Sequence, residues 1–467
     1  MVSRRFAALL RQPLQAWQTL SLRSVGTGTR SSAYLARWLS IVAPRVERLE
    51  LELRDVHPPG HRLAISPFLA SARTLKLLHL EKLHLLPAEL ALISLLTSLT
   101  SLRCECSLSK GMQPLSTLAS LRQLQHLSLT AVEAPSGSQL PISLSALSSL
   151  QSLSLSSSTS KSYSREPPLL GLPWAWCQAA TQVTSVRLRW VDLPSLPPAD
   201  APHTSGAGSS SGASDSIGIF AAVQDLQLYF PLVALGGSIG CCRALRTLWV
   251  FGGSLQAAGW AALSSLPHLE ALSVHRCYLD DDDEYEGEED NYVDPVPPAP
   301  QSLSSLTCLT LLDLWRAPIH PALTQLPKLR KLVLVEPECL GLYTAWPLPD
   351  GPWLRHLESL QVEHAALGSI GAVLRQATRL SSLSLDDCPW LTFERDDLPL
   401  LLQLPLERLL VDKRPAEVED DEPDPPWEEV PEPLWGEESL WVARELGVAL
   451  RARGSGGSFD ICTEEWP

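Results

Sequence analysis

Hydrophobic residues along this chain recur at a spacing that is neither purely helical nor purely extended. In the stretch LSSLSLDDCPWLT, residues 380–392, leucines stand at Leu380, Leu383 and Leu385, which are offsets 0, 3 and 5. Offsets 3 and 5 point to the same side of a β-strand, and offset 0 lies just before the strand in a tight turn. The pattern therefore predicts a short strand that buries one side and is entered through a turn.

The same pattern recurs in fifteen copies, spaced 20 to 29 residues apart except for gaps of 33, 40 and 40. All pattern positions are Leu or Val apart from Trp17 and Cys104. The copies begin at Trp17, Val46, Leu75, Leu99, Leu124, Leu150, Val183, Val223, Leu245, Leu269, Leu309, Leu329, Leu357, Leu380 and Leu406. A period of this length is typical of leucine-rich repeats.

Over residues 14–412 the chain resembles the leucine-rich repeat family. The resemblance implies an α/β solenoid of about fifteen repeats, with one curved parallel sheet on the concave side and helices or 3₁₀ turns on the convex side. The segments LPAELALISLL (86–96) and AALSSL (261–266) are apolar at helical spacing and predict convex helices. In this register Leu312 belongs to the core, so Leu312→Asp should be severely destabilising.

The repeat departs from the family at its ninth position, where the family's Asn is absent. Only Cys277 and Cys388 stand at that position. We therefore expect many turns to satisfy their backbone groups by other means.

Segments outside the repeats differ sharply in composition. We expect the Gly- and Ser-rich insert 197–216 and the acidic insert 279–300 to be disordered, because neither can bury much apolar surface. An acidic, Pro-rich linker follows at 413–436. Residues 437–467 predict a cap helix and tail that cover the open end of the solenoid.

The front end, residues 1–23, permits three interpretations. Residues 2–23 resemble the C-terminal half of an F-box, with Phe6 where that family usually has Trp, Leu9 and Leu10 on the helix, and Trp17 at the later Trp position. The leading half, whose helices bind the linker subunit of an SCF ubiquitin ligase in that family, is absent from the sequence. The first 46 residues contain seven Arg and no Asp or Glu, which also fits an organelle transit peptide. An ordinary solenoid cap is the third interpretation.

Composition restricts the classes of function. A chain of 467 residues that is 45 % hydrophobic can bury a large core. It contains no apolar run of the ~18 residues that a membrane span needs and no signal peptide, so we expect a cytoplasmic or nuclear protein. The net charge of -15 disfavours nucleic-acid binding. The ten cysteines lack CxxC spacing and predict reduced, mostly buried thiols.

No catalytic, phosphate-binding or metal-binding motif is found, so we predict a binding protein with no enzymatic activity, cofactor or metal. Side chains at offsets 2, 4 and 6 should face the concave surface. In the seventh to eleventh copies these offsets and the residue just after them predict a patch of aromatic and basic side chains. Its members are Arg187, Arg189, Trp190, Tyr229, Phe230, Trp249, Phe251, His275, Arg276, Trp315 and Arg316.

Trp, Tyr and Arg dominate binding hot spots, so the patch predicts a protein partner with an acidic or phosphorylated segment. The acidic insert from Asp280 is a competing occupant of the same surface. The first functional hypothesis is the substrate-recognition part of an F-box/LRR ubiquitin-ligase adaptor, which would add SCF subunits as partners if a complete F-box precedes Met1. The alternative is a free-standing scaffold or ligand-sensing protein with no ubiquitin connection.

Overall fold

The fold is that of a computed structural model, which describes a defined part of the chain. The described residues are 18–25, 29–53, 63–107, 113–132, 146–158, 170–171, 182–189, 191–192, 222–229, 239–240, 242–253, 262–263, 265–277, 303, 305–312, 326–335, 348, 350–363, 370–386, 388, 392–413, 437–453 and 459–463. Outside them lie both predicted inserts and the part of the linker 413–436 beyond residue 413. The F-box-like residues Phe6, Leu9, Leu10 and Trp17 also lie outside them.

The chain divides into two compact units, residues 1–233 with 241–245 and residues 234–240 with 246–467. The strands of the first unit are β1 (Thr19–Val25), β2 (Arg48–Leu53), β3 (Leu77–Leu85), β4 (Ser101–Ser107), β5 (His126–Val132), β6 (Ser152–Ser158), β7 (Leu170–Gly171), β8 (Ser185–Arg189), β9 (Val191–Asp192) and β10 (Asp225–Tyr229). They form a parallel sheet in the order β1-β2-β3-β4-β5-β6-β8-β10, while β7 pairs with β9.

The second unit repeats this arrangement. Its strands are β11 (Thr247–Gly253), β12 (Ala271–Cys277), β13 (Cys308–Leu312), β14 (Lys331–Val335), β15 (Ser359–Glu363), β16 (Ser382–Asp386), β17 (Arg408–Lys413) and β18 (Phe459–Thr463). Each strand pairs in parallel with the next in chain order. All fifteen predicted copies thus contribute a parallel strand, which confirms an α/β leucine-rich repeat solenoid.

Short helices occupy the segments between strands. In the first unit these are α1 (Thr29–Val42), α2 (Ser66–Ser71), α3 (Pro87–Ile93) and 3₁₀ turns at Ala43–Arg45 and Gln113–Ser120. In the second they are α4 (Gly371–Leu374), α5 (Leu398–Leu401), α6 (Glu437–Ala452) and 3₁₀ turns at Pro352–His356 and Arg395–Asp397. The predicted helix at 86–96 is present as α3, and residues 262 and 263 of the second predicted helix are helical. Helix α1 was not predicted.

The core consists of the pattern residues themselves. In the fifth copy Leu124, Leu127 and Leu129 are at most 2 % exposed. Offset 3 pairs with offset 3 of the next strand, as Leu127 does with Leu153. Because each repeat alone would leave this apolar edge open to water, the leucine rows stabilise the fold only as a stack.

The pairing register corrects the eleventh copy. Leu309 pairs with Leu272 on β12 and with Leu332 on β14, and both partners are offset-3 residues. The copy therefore begins at Leu306, not Leu309, and Leu306 is fully buried. Leu312 moves from the core row to the offset-6 row, so the premise of the predicted severe effect of Leu312→Asp is removed. The register that selected Trp315 and Arg316 is wrong as well, and both residues lie outside the described part of the chain.

Backbone groups in the turns find partners without an Asn ladder, as expected. Before the strands, one carbonyl accepts two N–H groups from the next repeat: Glu47 O accepts from Lys76 N at 2.7 Å and from Leu77 N at 3.0 Å. The thiol of buried Cys388, at the ninth position, donates to Val362 O of the preceding repeat at 3.6 Å. Among the described cysteines, Cys104, Cys242 and Cys388 are buried free thiols, while Cys308 is a half-buried one.

Helix α6 and strand β18 complete the C-terminal end of the second unit. Buried Ser439 accepts a hydrogen bond from Phe393 N at 2.9 Å and donates to Phe393 O at 3.2 Å, which joins α6 to the last repeat. Arg453 donates to the carbonyls of Leu402 and Leu404. Strand β18 pairs with β17 from Leu409↔Phe459 onward. The last repeat strand is thereby hydrogen-bonded on both sides, and β18 becomes the terminal strand of the sheet.

Candidate functional site

Side chains at offsets 2, 4 and 6 lie opposite the buried leucines and form three rows across each sheet. On β8, Arg187 and Arg189 are exposed whereas Val186 and Leu188 are buried. On β10, Tyr229 occupies offset 6 and is half-buried. On β11, Trp249 is half-buried, and Phe251 is 36 % exposed.

The predicted patch residues fall in both units. Arg187, Arg189 and Tyr229 belong to the first unit, and Trp249 and Phe251 to the second. The backbone places His275 at offset 6 of β12, where it pairs with Phe251 and Leu312, and Arg276 one position later. Trp190 and Phe230 lie outside the described residues.

Arg187 and Tyr229 form the best-defined contact of the patch. An Arg187 N–H donates to the Tyr229 hydroxyl oxygen at 2.6 Å. The guanidinium carbon also lies 5.0 Å from the centre of the Tyr229 ring. Backbone pairing sets Arg187 opposite Gln227 and Arg189 opposite Tyr229, so this contact is diagonal across two strands. A stacked and hydrogen-bonded guanidinium loses less side-chain entropy when it binds an anion.

The surroundings of Arg187 are small and polar. Ser154 and Ser156 on β6 pair with Arg187 and Arg189, so hydroxyl groups line the approach from that side. On the offset-2 row Ser185 donates to the Asp225 carboxylate at 3.4 Å. Within the described part of the chain, neither Arg187 nor Arg189 forms an ion pair. The two guanidinium groups are therefore available to an external anion.

A second polar group on β2, β3 and β4 was missed by the sequence analysis. His79 Nε2 lies 3.2 Å from Ser101 Oγ, and Arg103 pairs with Glu81 at 3.0 Å. Ser21 Oγ donates to Glu50 Oε2 at 3.2 Å. Burial lowers the pKa of His79, and Arg103 lowers it further, although Glu50 and Glu81 oppose the shift. At neutral pH this histidine is accordingly uncharged.

The charged residues and His79 of this group stand at offsets 4 and 6 of the second to fourth copies, so reading those offsets across adjacent copies would have found them. Ser101 stands at offset 2 of the fourth copy and Ser21 at offset 4 of the first. Glu52 on β2 also pairs directly with Glu81 on β3. The strand β3 then bulges, with Lys82 at a φ of 60°, before it rejoins β4 at His84. Glu105 on β4 is a further partly exposed carboxylate of this group.

In the second unit the offset-4 row is more apolar than in the first. The offset-4 row runs through Trp249, Ser273, Thr310, Val333, Gln361, Ser384 and Leu410. Val333 is 8 % exposed. Burial raises the pKa of Cys308 at offset 2, so its thiol stays protonated at neutral pH, although Lys331 and a hydrogen bond with Thr310 oppose the shift. This face offers apolar contact area with hydroxyl groups between.

Among the described residues, neither a metal-ligand cluster nor a membrane-spanning helix is found. No three His, Cys, Asp or Glu side chains of the described ranges come together as metal ligands. No helix in that part of the chain combines the length and apolar character needed to cross a bilayer.

No protein-family profile and no curated protein matches this chain. Solved structures are similar over most of its length. The internalin InlF of Listeria monocytogenes is 15 % identical and covers 87 % of this chain and 93 % of its own, with a TM-score of 0.39. A leucine-rich repeat protein of Leptospira interrogans is 15 % identical over 98 % of both chains, with a TM-score of 0.48. TLR13 in complex with ssRNA13 is 13 % identical over 85 % of this chain and 55 % of its own, with a TM-score of 0.42.

Proposed function

We propose that this protein is a non-catalytic binding solenoid that holds an acidic or phosphorylated segment of a partner protein at Arg187 and Arg189. The observation that carries the proposal is the stacking and hydrogen bonding of Arg187 on Tyr229. A guanidinium fork matches carboxylate and phosphate oxygens in a bidentate geometry. Its restraint by Tyr229 favours this use over a solvated, mobile side chain.

The test is titration of fluorescent decapeptides into the full chain. A Ser-rich peptide with two central Asp or phosphoserine residues should bind, and its affinity should fall as salt rises. Arg187→Ala should weaken binding about tenfold, which corresponds to one charge-assisted hydrogen bond of ~1.4 kcal/mol. Arg122→Ala, which removes an exposed guanidinium group from the turn before β5, is the matched control and should bind as the wild type does.

Equal affinity of wild type and Arg187→Ala for the acidic peptides would contradict the proposal. A single-stranded RNA oligonucleotide in the same assay should not compete, because the chain carries a net charge of -15.

In the second unit we propose that Trp249 and Phe251 provide an apolar anchor for the partner. Trp249 is half-buried and Phe251 is 36 % exposed, as large aromatic side chains in recognition surfaces commonly are. Truncation of a central aromatic side chain typically costs ~2 kcal/mol or more, so Trp249→Ala should weaken the partner's affinity about thirtyfold. The melting temperature should stay unchanged. If capture from lysate recovers the same proteins with wild-type, Trp249→Ala and Arg187→Ala baits, neither group is the binding site.

At a finer level we propose substrate recognition for a ubiquitin ligase. The support is the F-box-like sequence of residues 2–23 alone. If a complete F-box precedes Met1, immunoprecipitation of the endogenous protein should recover the cullin and linker subunits of an SCF ligase. Their absence would favour the free-standing scaffold. The 467-residue chain alone should bind the linker subunit weakly, because it lacks the leading half that makes most of that contact in the F-box family. We further propose a cytoplasmic or nuclear location, and import into an organelle with cleavage near residue 30 would contradict both this location and the F-box interpretation.

A further inference from the structure

The concave face of the first unit carries opposite charges at its two ends. Strands β2 to β4 present four carboxylates at offsets 4 and 6, those of Glu50, Glu52, Glu81 and Glu105. Strand β8 presents the guanidinium groups of Arg187 and Arg189 at the same two offsets. The sheet order places β5 and β6 between these ends.

The strands in between carry no charge on these rows. Offsets 4 and 6 are Ser128 and Thr130 on β5, and Ser154 and Ser156 on β6. Their side chains are short, and all four are partly exposed. A chain lying across them would meet hydroxyl groups that can donate and accept hydrogen bonds, and no side chain large enough to block it.

At the acidic end, not every carboxylate has a cationic partner among the described residues. Glu52 and Glu81 stand opposite each other on adjacent strands, an arrangement in which like charges repel. Arg103 pairs with Glu81 at 3.0 Å, whereas no ion pair within the described residues includes Glu52. A cationic group placed beside Glu52 would relieve this repulsion.

The distance between the acidic strands and β8 sets how many residues a bound peptide needs to reach both charged groups. Strands of a sheet lie about 4.8 Å apart, and β3 and β2 are four and five steps from β8 in the sheet order, so the charges are separated by about 19–24 Å. An extended polypeptide advances about 3.3 Å per residue, so about six to seven residues span this separation. A nucleic-acid strand of this length would place phosphates against Glu52 and Glu81.

We propose that the first unit binds an extended polypeptide segment of a partner protein that carries basic residues about six to seven positions away from acidic or phosphorylated ones. The basic end lies on β2 to β4 and the acidic end on Arg187 and Arg189. This inference rests on the proposed function at Arg187 and adds a second contact, a spacing and an uncharged middle.

The test uses three synthetic peptides of equal length. The first has two Asp residues in a Ser/Gly background. The second adds two Lys residues separated from the Asp pair by five residues, and the third places the two Lys residues directly beside the Asp pair. The second and third peptides have the same composition and net charge, so their difference reports spacing alone. Affinity is measured by fluorescence anisotropy on the full chain at low salt.

The widely spaced peptide should bind about fivefold more tightly than the adjacent one, as expected from two exposed ion pairs in a high-dielectric site. Glu52→Gln removes one of the two ion pairs, so it should reduce this difference to about twofold and leave the affinity for the Asp-only peptide unchanged. Arg187→Gln should weaken all three peptides. Glu407→Gln removes an exposed carboxylate in the second unit and should preserve the whole pattern.

The outcomes separate the two proposals. If the Asp-only peptide binds in an Arg187-dependent manner but the two Lys-containing peptides bind equally, the extended dipolar ligand is overturned and the proposed function stands. If Arg187→Gln changes nothing, the proposed function falls and this inference with it. A melting temperature equal to that of the wild type confirms that each variant is folded.

Discussion

The carboxyl group of Asp397 lies directly over the Cα of Gly371, so that a Cβ added to Gly371 would overlap it. Asp397 is 5 % exposed and belongs to the 3₁₀ turn that precedes α5, whereas Gly371 begins α4 of the preceding repeat. The Asp397 carboxylate also accepts a hydrogen bond from Glu394 N at 2.9 Å. The contact therefore fixes the spacing of two consecutive convex turns.

Gly371→Ala should be destabilising although alanine is the better helix former. The helix propensity would favour Ala by about 1 kcal/mol. The overlap forces Asp397 to move and to give up its hydrogen bond, and overpacking of this kind typically costs about 1–3 kcal/mol. A lower melting temperature by circular dichroism is the expected result.

Gly240→Ala is the matched control, since a Cβ there would approach Ser265 Oγ at 3.0 Å, an atom that a rotamer change can move. Its melting temperature should fall less. The double variant Gly371→Ala/Asp397→Ala should be more stable than the sum of the single effects predicts, because the overlap is gone. Additive effects would show that Asp397 is not the cause.

Most of the repeat register was predictable because buried Leu and Val at offsets 0, 3 and 5 mark both the strand and the turn before it. The eleventh copy failed for a physical reason. The sequence LTCLTLLDL satisfies the pattern from Leu306 and again from Leu309. Only pairing with Leu272 and Leu332 on the neighbouring strands decides between the two, and that information is absent from the segment itself.

Sequence reasoning predicted the residue types of the candidate site better than the contacts between their side chains. Arg187 and Tyr229 are 42 positions apart in the sequence, and their contact depends on the adjacency of β8 and β10 and on a diagonal side-chain geometry. The carboxylates of β2 to β4 escaped notice because each is unremarkable in its own repeat. Their meaning comes from the strand order, which places Glu52 beside Glu81.

The corrected register makes a direct prediction about two neighbouring leucines. Leu309 is 1 % exposed and pairs with buried leucines, so Leu309→Asp would bury an unpaired carboxylate and should unfold the second unit or lower its stability by several kcal/mol. Leu312 stands in the offset-6 row, where its backbone pairs with Val335, and offset 6 alternates with the buried offsets 3 and 5 along the strand. Leu312→Asp should cost less than about 1 kcal/mol. Urea unfolding followed by circular dichroism distinguishes them, and equal losses would restore the earlier register.

Ser439 should matter more than its size suggests. Its hydroxyl accepts from Phe393 N and donates to Phe393 O, and all three groups are buried. Ser439→Ala leaves the backbone groups without this partner, which typically costs about 1–3 kcal/mol. Glu445→Ala, an exposed change on the same helix, should stay within about 0.5 kcal/mol. Hydrogen exchange should show faster opening of α6 in the serine variant only, and equal exchange in both variants would contradict the role of Ser439.

His79 should make the stability of the protein depend on pH in a defined direction. Burial lowers the pKa of His79, with Arg103 adding to the shift and Glu50 and Glu81 opposing it. The folded state therefore binds fewer protons at this site than the unfolded state does, and the free energy of unfolding falls as the pH drops through the ordinary histidine pKa of about 6.5. Above that pH the contribution is fully present.

The check is urea unfolding at pH 7.5 and pH 5.5. Wild type should lose free energy of unfolding between the two, and His79→Gln should lose less, because Gln can keep the hydrogen bond to Ser101 but does not titrate. Ser154→Ala leaves every charge in place and should show the full wild-type loss. If His79→Gln loses as much as the wild type, proton binding at His79 does not contribute to the pH dependence, and carboxylates elsewhere account for it.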